Sequence, residues 1–474
     1  MDENLRKKIL ENILPSDEEN HKINQIIELL TEKIKARIKN SKYMVSFIEA
    51  EGSTGMKETH LKGDSDVDLF VALNKKHYEE LMNIDSRKIV VKRNKELFLD
   101  LCNNIFKPAL ESANAKNIKL TYAEHPYISA KLKDINLDLV GCFDISRDYI
   151  EENGPITAVD RTPHHSKFIR ENLNPRMRND VRILKSFFRA SHVYGDKSAV
   201  GRFGFTGFAS ELLIYNFKNI ENLFKSFNQI PKAPIDFYGR SRKGIENIGH
   251  FKDDYFIIID PIDKNRNVAS SISRRAFRYA HKNIQEFQQD QKIDYFIREE
   301  IPTKITIDPE YKENYVVLEM ESDQSRHYTE VRDKLYSYAN SLKHQLEFET
   351  TGEKRFGKTL FEVYFEGIYF SLVYHTEKGI IRDTYKRKGP PVKDKKNFKR
   401  FKDMHPDLFV ENGWALVLRN RKYTKPIDLI TAYLEKKKLF SGVNLKYISN
   451  SGKRNIGKKA LYIMKNMVMP IELK

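Results

Sequence analysis

Two cysteines in 474 residues, Cys102 and Cys142, are too few for a disulfide framework and cannot by themselves form a zinc site. No stretch approaches the roughly 18 apolar residues that a membrane-crossing helix needs. The longest apolar patches, such as Tyr255–Ile259, are strand-sized. The opening Met-Asp-Glu-Asn-Leu-Arg lacks the pattern of a secretory signal. No fixed-period repeat and no low-complexity tract is visible. These absences predict a cytoplasmic protein in a reducing compartment, with no membrane partner. Acidic residues are also in short supply, 66 against 83 Lys and Arg, which leaves +17 and a pI near 9.4. A surplus of that size is the electrostatic footprint of a chain that grips polyphosphate, most simply nucleic acid.

What is present suffices for several cores. Forty per cent of the residues are hydrophobic, 11% are aromatic, and the charges are of mixed sign. At roughly 150 residues per domain the length predicts about three domains. Residues 17–40 place Ile23, Ile26, Ile27, Leu30, Ile34 and Ile38 at helical spacing. Tyr43–Ala50 and Val67–Leu73 read as strands, 76–83 and 94–113 as helices, and Tyr127–Lys133 with Ile135–Phe143 as a hairpin. The first 145 residues therefore predict a mixed sheet flanked by helices. Beyond Pro155, helices are expected over about 175–193 and 209–217. From about 300 the pattern turns to β segments at Tyr315–Met320, Leu360–Tyr364 and Tyr369–Tyr374, around a helix near 325–343. The fold class is α+β multidomain.

The most informative stretch is Gly52-Ser53, twelve further residues, then Asp66-Val67-Asp68 leading into the apolar run Leu69–Leu73. Strand side chains alternate, so Asp66 and Asp68 share a face. Two adjacent carboxylates repel unless a hard cation lies between them, and carboxylate with phosphate oxygens is the ligand set magnesium prefers. Gly52-Ser53, at a strand end and the expected start of a short helix, offers free N–H groups and a hydroxyl to a polyphosphate. Asp138 lies mid-strand among apolar neighbours, where a carboxylate requires a partner or a metal. It would complete a three-carboxylate, two-metal centre. Asp64 and Asp134 are its rivals, each at an expected turn.

Gly-Ser, then Asp-x-Asp, then a third strand aspartate resembles the polymerase-beta nucleotidyltransferase superfamily. Ala158–His165, Asp260–Ala269 and Glu411–Gly413 resemble segments of the archaeal, class I CCA-adding tRNA nucleotidyltransferases, in order along nearly the whole chain. The resemblance implies a head over 1–145, a neck over 146–260, a body over 261–312 and 392–474, and a tail over 313–391. It implies two Mg2+ ions on Asp66, Asp68 and Asp138, with CTP and ATP as substrates and the acceptor stem and 3′ end of tRNA as partner. Ser53 then matches the phosphate-binding serine. His165, Lys185 and Tyr194 match nucleotide contacts, and Arg266 the arginine facing the incoming base. The loop here reads Gly52-Ser-Thr-Gly-Met-Lys57-Glu-Thr-His60, one residue longer than the family pattern. Lys57 is best placed to replace its basic residue and His60 its aromatic. A homodimer is compatible with this reading.

Other readings compete. Gly352–Thr359 fits the Walker A pattern letter for letter. Yet Leu360–Phe365 is rich in strand formers, and a P-loop must open a helix. The segment is expected to be a basic turn between two strands, which disfavours a P-loop ATPase. Residues 382–402 carry ten Lys and Arg against two Asp, with Tyr385, Phe398 and Phe401 interleaved, and could track a phosphate backbone. From the residues alone, a poly(A)- or oligoadenylate-type RNA-terminal transferase shares the same triad. A non-catalytic RNA-binding module is the rival outside enzymes.

Overall fold

The computed structural model describes residues 1–82, 87–122 and 125–473. The chain forms two compact units, each built from discontinuous segments. The first comprises residues 1–191, 205–271 and 284–298, and the second 192–204, 272–283 and 299–474.

In the first unit the alternating segments pair into one sheet. Its strands are β1 (Val45–Glu51), β2 (Val67–Asn74), β3 (Lys116–Tyr122), β4 (Pro126–Leu132) and β5 (Ile135–Asp144), in the order β1-β2-β5-β4-β3. Only β2 and β5 run parallel. The helix Asp17–Ile38 begins where the Ser16 hydroxyl accepts from Glu19 N–H, with acidic residues in its first turn and Lys35 and Arg37 in its last. Both ends complement the helix dipole. Its Ile23, Ile26, Leu30 and Ile34 pack on Val67, Leu69, Val71 and Leu73 from one sheet face. Phe70, Ala72, Val140 and Cys142 form a smaller apolar patch on the opposite face. The polar ends of β2 and β5 continue that second face.

Against the sequence reading, the sheet gains β3, and helix is seen only to Met82 within the expected 76–83, residue 83 lying outside the described residues. No helix follows Ser53: residues 52–57 are consecutive turns. Tyr255–Ile259 forms no strand, only the isolated bridges Ile235–Ile258 and Ile259–Asn267. The helices Thr162–Asn172, Pro175–Ala190 and Gly207–Phe217 complete this unit's working parts. Pro175–Ala190 is anchored by an aromatic cluster in which Phe188 stacks on Phe205 with centroids 4.0 Å apart.

The second unit contains β6 (Tyr315–Ser322), β7 (Thr359–Glu366), β8 (Tyr369–Thr376), β9 (Thr384–Pro391), β10 (Phe409–Glu411), β11 (Trp414–Asn420) and β12 (Val443–Ser449). A four-stranded sheet, β12-β6-β8-β7, shares its core with the helices Tyr328–Glu347 and Pro426–Lys436. A three-stranded sheet, β10-β11-β9, packs the helix Lys395–Met404 through Phe398 and Phe401. Both sheets pair strands across the expected 391/392 edge.

The Walker-like loop connects the helix Tyr328–Glu347 to β7, so it lies between a helix and a strand rather than between two strands. Gly357 has φ +78°, Lys358 N–H donates to Glu377 at 3.0 Å, and the Lys358 ammonium donates to the Glu472 carbonyl at 2.5 Å. A strand follows where a P-loop requires a helix, and the lysine is tied back to the protein. Among the described residues no helix is long and apolar enough to cross a membrane.

Candidate active site

Register brings the carboxylates together. Asp68 faces Asp138 across the parallel β2–β5 pair and Glu51 across the antiparallel β1–β2 pair, and Ser129 on β4 lies beyond Asp138. One row across four strands thus reads Glu51, Asp68, Asp138, Ser129, with Asp66 two residues before Asp68 on the same face. The Ser129 hydroxyl donates to Asp138 at 2.6 Å, and the Asn136 amide donates to Asp66 at 2.9 Å. Gly52 closes over this row. Its φ of +71° favours glycine, and a Cβ there would strike the Asp68 carboxylate.

The electrostatics are those of crowded like charge. Burial, then repulsion from Asp138 and Asp66, lifts the Asp68 carboxyl to about 7. Burial also raises Asp138, against the Ser129 hydrogen bond. Glu51 is fully buried, and burial pushes it to about 7 against the opposing pull of the Ser166 hydroxyl. A divalent cation relieves such repulsion directly. Among the described residues no three His, Cys, Asp or Glu side chains already enclose a common point. Magnesium keeps several waters and takes one or two carboxylates plus substrate phosphates. The donor set of Asp66, Asp68 and Asp138 fits the ion on these grounds. The rivals are engaged elsewhere: Asp64 is ion-paired with Arg189, and Asp134 sits at φ +70° in the β4–β5 turn beside Lys131.

Behind the loop lies a second set of charges, all of them paired. Lys57 is buried and binds Glu211 at 3.0 Å, with its ammonium 4.7 Å from the Phe208 ring centre. Lys185 reaches the same Glu211 at 3.3 Å, and also the Thr59 hydroxyl and carbonyl at 3.0 and 3.1 Å. Thr59 donates to Glu211 at 2.7 Å. Burial works to raise Glu211, but the two lysines outweigh it and hold the carboxylate below its usual range. Burial lowers Lys185.

Phe208 also packs against His165, the rings tilted by 34° with centroids 4.1 Å apart. Nε2 of His165 lies 2.8 and 3.0 Å from the two oxygens of Asp260, and Arg266 donates to Asp260 at 2.8 Å. Burial would raise Asp260, yet His165 and Arg266 hold it well below the carboxylate range. His165 itself is lowered, burial outweighing Asp260.

Of the nucleotide contacts expected from sequence, Lys57, Lys185, His165 and Arg266 therefore all belong to the first unit, in two carboxylate-centred groups joined by Phe208. Ser53 sits in the turn beside Gly52, its carbonyl accepting from Thr59 and His60 N–H groups. His60 is buried, with Nδ1 3.3 Å from that carbonyl. Tyr194 belongs to the second unit, at the entry to the 3-10 turn Gly195–Lys197, and is not among the residues these contacts assemble. Sequence reasoning missed Glu211 and the role of Asp260. Glu211 stands alone in the apolar helix Gly207–Phe217, the same signal that singled out Asp138.

A mixed sheet presenting three carboxylates beside a glycine turn defines the chain as a nucleotidyltransferase, and residues 30–168 match the family described as nucleotidyltransferase domain. Residues 179–297 match the second domain of tRNA nucleotidyltransferase, and 331–452 the C-terminal domain of CCA-adding enzyme. The CCA-adding enzyme of Methanocaldococcus jannaschii is 28% identical over 439 residues, covering 90% of this chain and 89% of that one. That of Methanococcus maripaludis is 33% identical over 275 residues, 56% of this chain and 55% of the other. The solved MgGTP-bound structure of Cid1 poly(U) polymerase is 12% identical with a TM-score of 0.45, spanning 63% of this chain and 98% of that one. The three matches in succession, with relatives along 90% of the chain, support an archaeal class I CCA-adding enzyme in the nucleotidyltransferase superfamily.

Proposed function

We propose that this protein adds C, C and A to the 3′ end of tRNA from CTP and ATP without a nucleic-acid template. The observation that carries the chemistry is the row in which Asp68 and Asp138 face each other across parallel strands, with Asp66 on the same face. The terminal 3′-hydroxyl of the RNA attacks the α-phosphate in line, a new phosphodiester bond forms, and pyrophosphate leaves. Asp66, Asp68 and Asp138 would hold the two Mg2+ ions, which when bound activate the hydroxyl and stabilise charge on the triphosphate. The Gly52–Lys57 turn lies against this row and offers the Ser53 hydroxyl and backbone N–H groups to the phosphates. Lys57 and Lys185 supply two positive charges against the single charge of Glu211, leaving a net cation behind the phosphate turn. Arg266, oriented by Asp260, is the donor for the ring-nitrogen acceptor that C and A both present.

The comparisons favour CCA addition over other 3′-terminal transfer. Localisation in the cytoplasm and assembly as a homodimer are compatible with this chemistry, and neither is required by it. The test is incubation with tRNA transcripts lacking CCA, one nucleotide triphosphate at a time, followed by sequencing of the 3′ ends. Products extended only by C, C and then A support the proposal. Runs of A or U would replace it with a tailing activity.

A further inference from the structure

One helix of the first unit grips the glycine loop along its return to β2. On Pro175–Ala190, residues Arg178, Arg182, Lys185 and Arg189 share a face at helical spacing. Arg178 pairs with the Glu58 carboxylate at 3.5 Å, and Arg189 with Asp64. Between these ion pairs the contacts are to backbone. The half-buried Arg182 donates from Nη2 to the Glu58 carbonyl at 2.6 Å and from Nε to the His60 carbonyl at 3.0 Å. Lys185 donates to the Thr59 carbonyl at 3.1 Å. Three consecutive carbonyls thus each receive a cationic donor. Among the described residues Arg182 makes no ion pair, and its Nη1 donates to Asn179 Oδ1 at 2.9 Å, one helical turn back.

The segment held in this way is one a chain does not adopt freely. Glu58 has φ +50°, in the left-handed region that glycine and asparagine favour. The next two N–H groups, of Thr59 and His60, return to the Ser53 carbonyl at 2.9 and 3.2 Å. The placement of residues 58–60 therefore fixes the backbone of the serine expected at the phosphates. We propose that Arg182 is a positioning residue for the triphosphate: its guanidinium clamps the Glu58 and His60 carbonyls and through them holds Ser53 in place. The inference rests on the nucleotidyl transfer proposed above and adds to it a residue that acts through the loop rather than on the nucleotide. A planar fork suits this task. It reaches two carbonyls two residues apart at once, whereas an ammonium is a point donor.

The test measures equilibrium binding of CTP and of CMP by the full-length protein, and CTP incorporation into tRNA lacking CCA. Arg182→Ala should weaken CTP binding and raise its KM on the order of 10-fold, the worth of a hydrogen bond from a charged donor, with kcat changed much less. CMP lacks the β- and γ-phosphates, so its binding should be nearly retained, whereas a damaged fold would lower both ligands alike. Low, non-denaturing guanidinium chloride should restore part of the CTP binding of Arg182→Ala, and sodium chloride at the same ionic strength should not. Arg182→Lys keeps the charge and the stem, and carries the test if alanine unfolds the protein. Unable to span both carbonyls, it should still bind CTP several-fold more weakly than wild type. Wild-type CTP affinity in either variant, an equal loss for CMP, or no rescue by guanidinium would overturn the clamp. The two readings fail separately. Incorporation by the wild type with CTP binding unchanged in Arg182→Ala removes the clamp alone. Weakened and rescued CTP binding in Arg182→Ala, with no addition of C, C and A by the wild type, removes the proposed activity alone.

Discussion

The carboxylate row and the charges behind the glycine turn obey opposite rules. At the row, Asp66, Asp68 and Asp138 crowd together, and Glu51 lies buried beside them. Behind the turn, Glu211 holds Lys57 and Lys185, and Asp260 holds His165 and Arg266. Buried groups that are paired or hydrogen-bonded fix geometry, since each would be costly to leave alone. Crowded like charges favour a cation that relieves their repulsion. The contrast separates residues that are already placed from those that await metal and triphosphate.

The sharpest way to break the comparison is to remove one unpaired carboxylate. Asp68→Asn and Asp138→Ala should each lower incorporation well over 100-fold, since even outer partners of a metal site are worth about 10- to 100-fold. Asp68→Asn should at the same time raise the Tm of the metal-free protein, because repulsion is relieved. Mg2+ should raise the wild-type Tm and leave that of Asp68→Asn nearly unmoved. A fall in metal-free Tm for Asp68→Asn would show that this carboxylate is paired after all.

The opposite outcome is expected on the paired side. Glu211→Gln strands two lysines in the interior and should cost about 3–5 kcal/mol of stability, read as a lower midpoint in urea. Glu211→Asp should recover part of it. A midpoint within error of wild type would mean that the lysines find other acceptors.

A smaller effect should follow at the other carboxylate. Arg266→Ala removes a donor from the base-facing group and should cost on the order of 1–3 kcal/mol in selecting C and A over U and G. Single-nucleotide addition with all four triphosphates measures it, and an unchanged ranking would confine Arg266 to steadying Asp260. Asp260 also sets a pH dependence. Its carboxyl is held below the unfolded value near 3.9, so its contribution to stability is present above about pH 4 and is lost as pH falls toward the lower folded value. Urea midpoints of wild type and Asp260→Asn should therefore converge as pH drops below about 4.

The legible parts of this site were those with a local period. Alternation placed Asp66 and Asp68 on one face, and a lone charge in an apolar strand singled out Asp138. The row itself was not legible, because Glu51 and Ser129 join it only through strand register, which depends on pairings distant in sequence. β3 was missed because Lys116–Tyr122 is an edge strand whose apolar residues Ile118 and Leu120 are only half-buried. Tyr255–Ile259 looked like a strand by composition, yet meets only single bridge partners. The domain plan was obscured for a related reason: each compact unit is assembled from three separated segments.

The smallest expected effect concerns the chain's other glycine-rich loop. Gly352–Thr359 spells a phosphate-binding motif, and Lys358 would be its key residue. In the fold its ammonium already donates to the Glu472 carbonyl, its N–H to Glu377, and a strand follows at Thr359. A lysine that cradles β- and γ-phosphates must be free to reach them, with helix N–H groups converging on the same anion. Neither condition holds here, so Lys358 belongs with the paired charges. Lys358→Ala should leave the KM for CTP and ATP unchanged and shift stability by about 1 kcal/mol at most, the usual worth of one hydrogen bond. If nucleotide affinity collapsed in this variant while tRNA binding persisted, the loop would be a second nucleotide site, and the carboxylate row would no longer account alone for the chemistry.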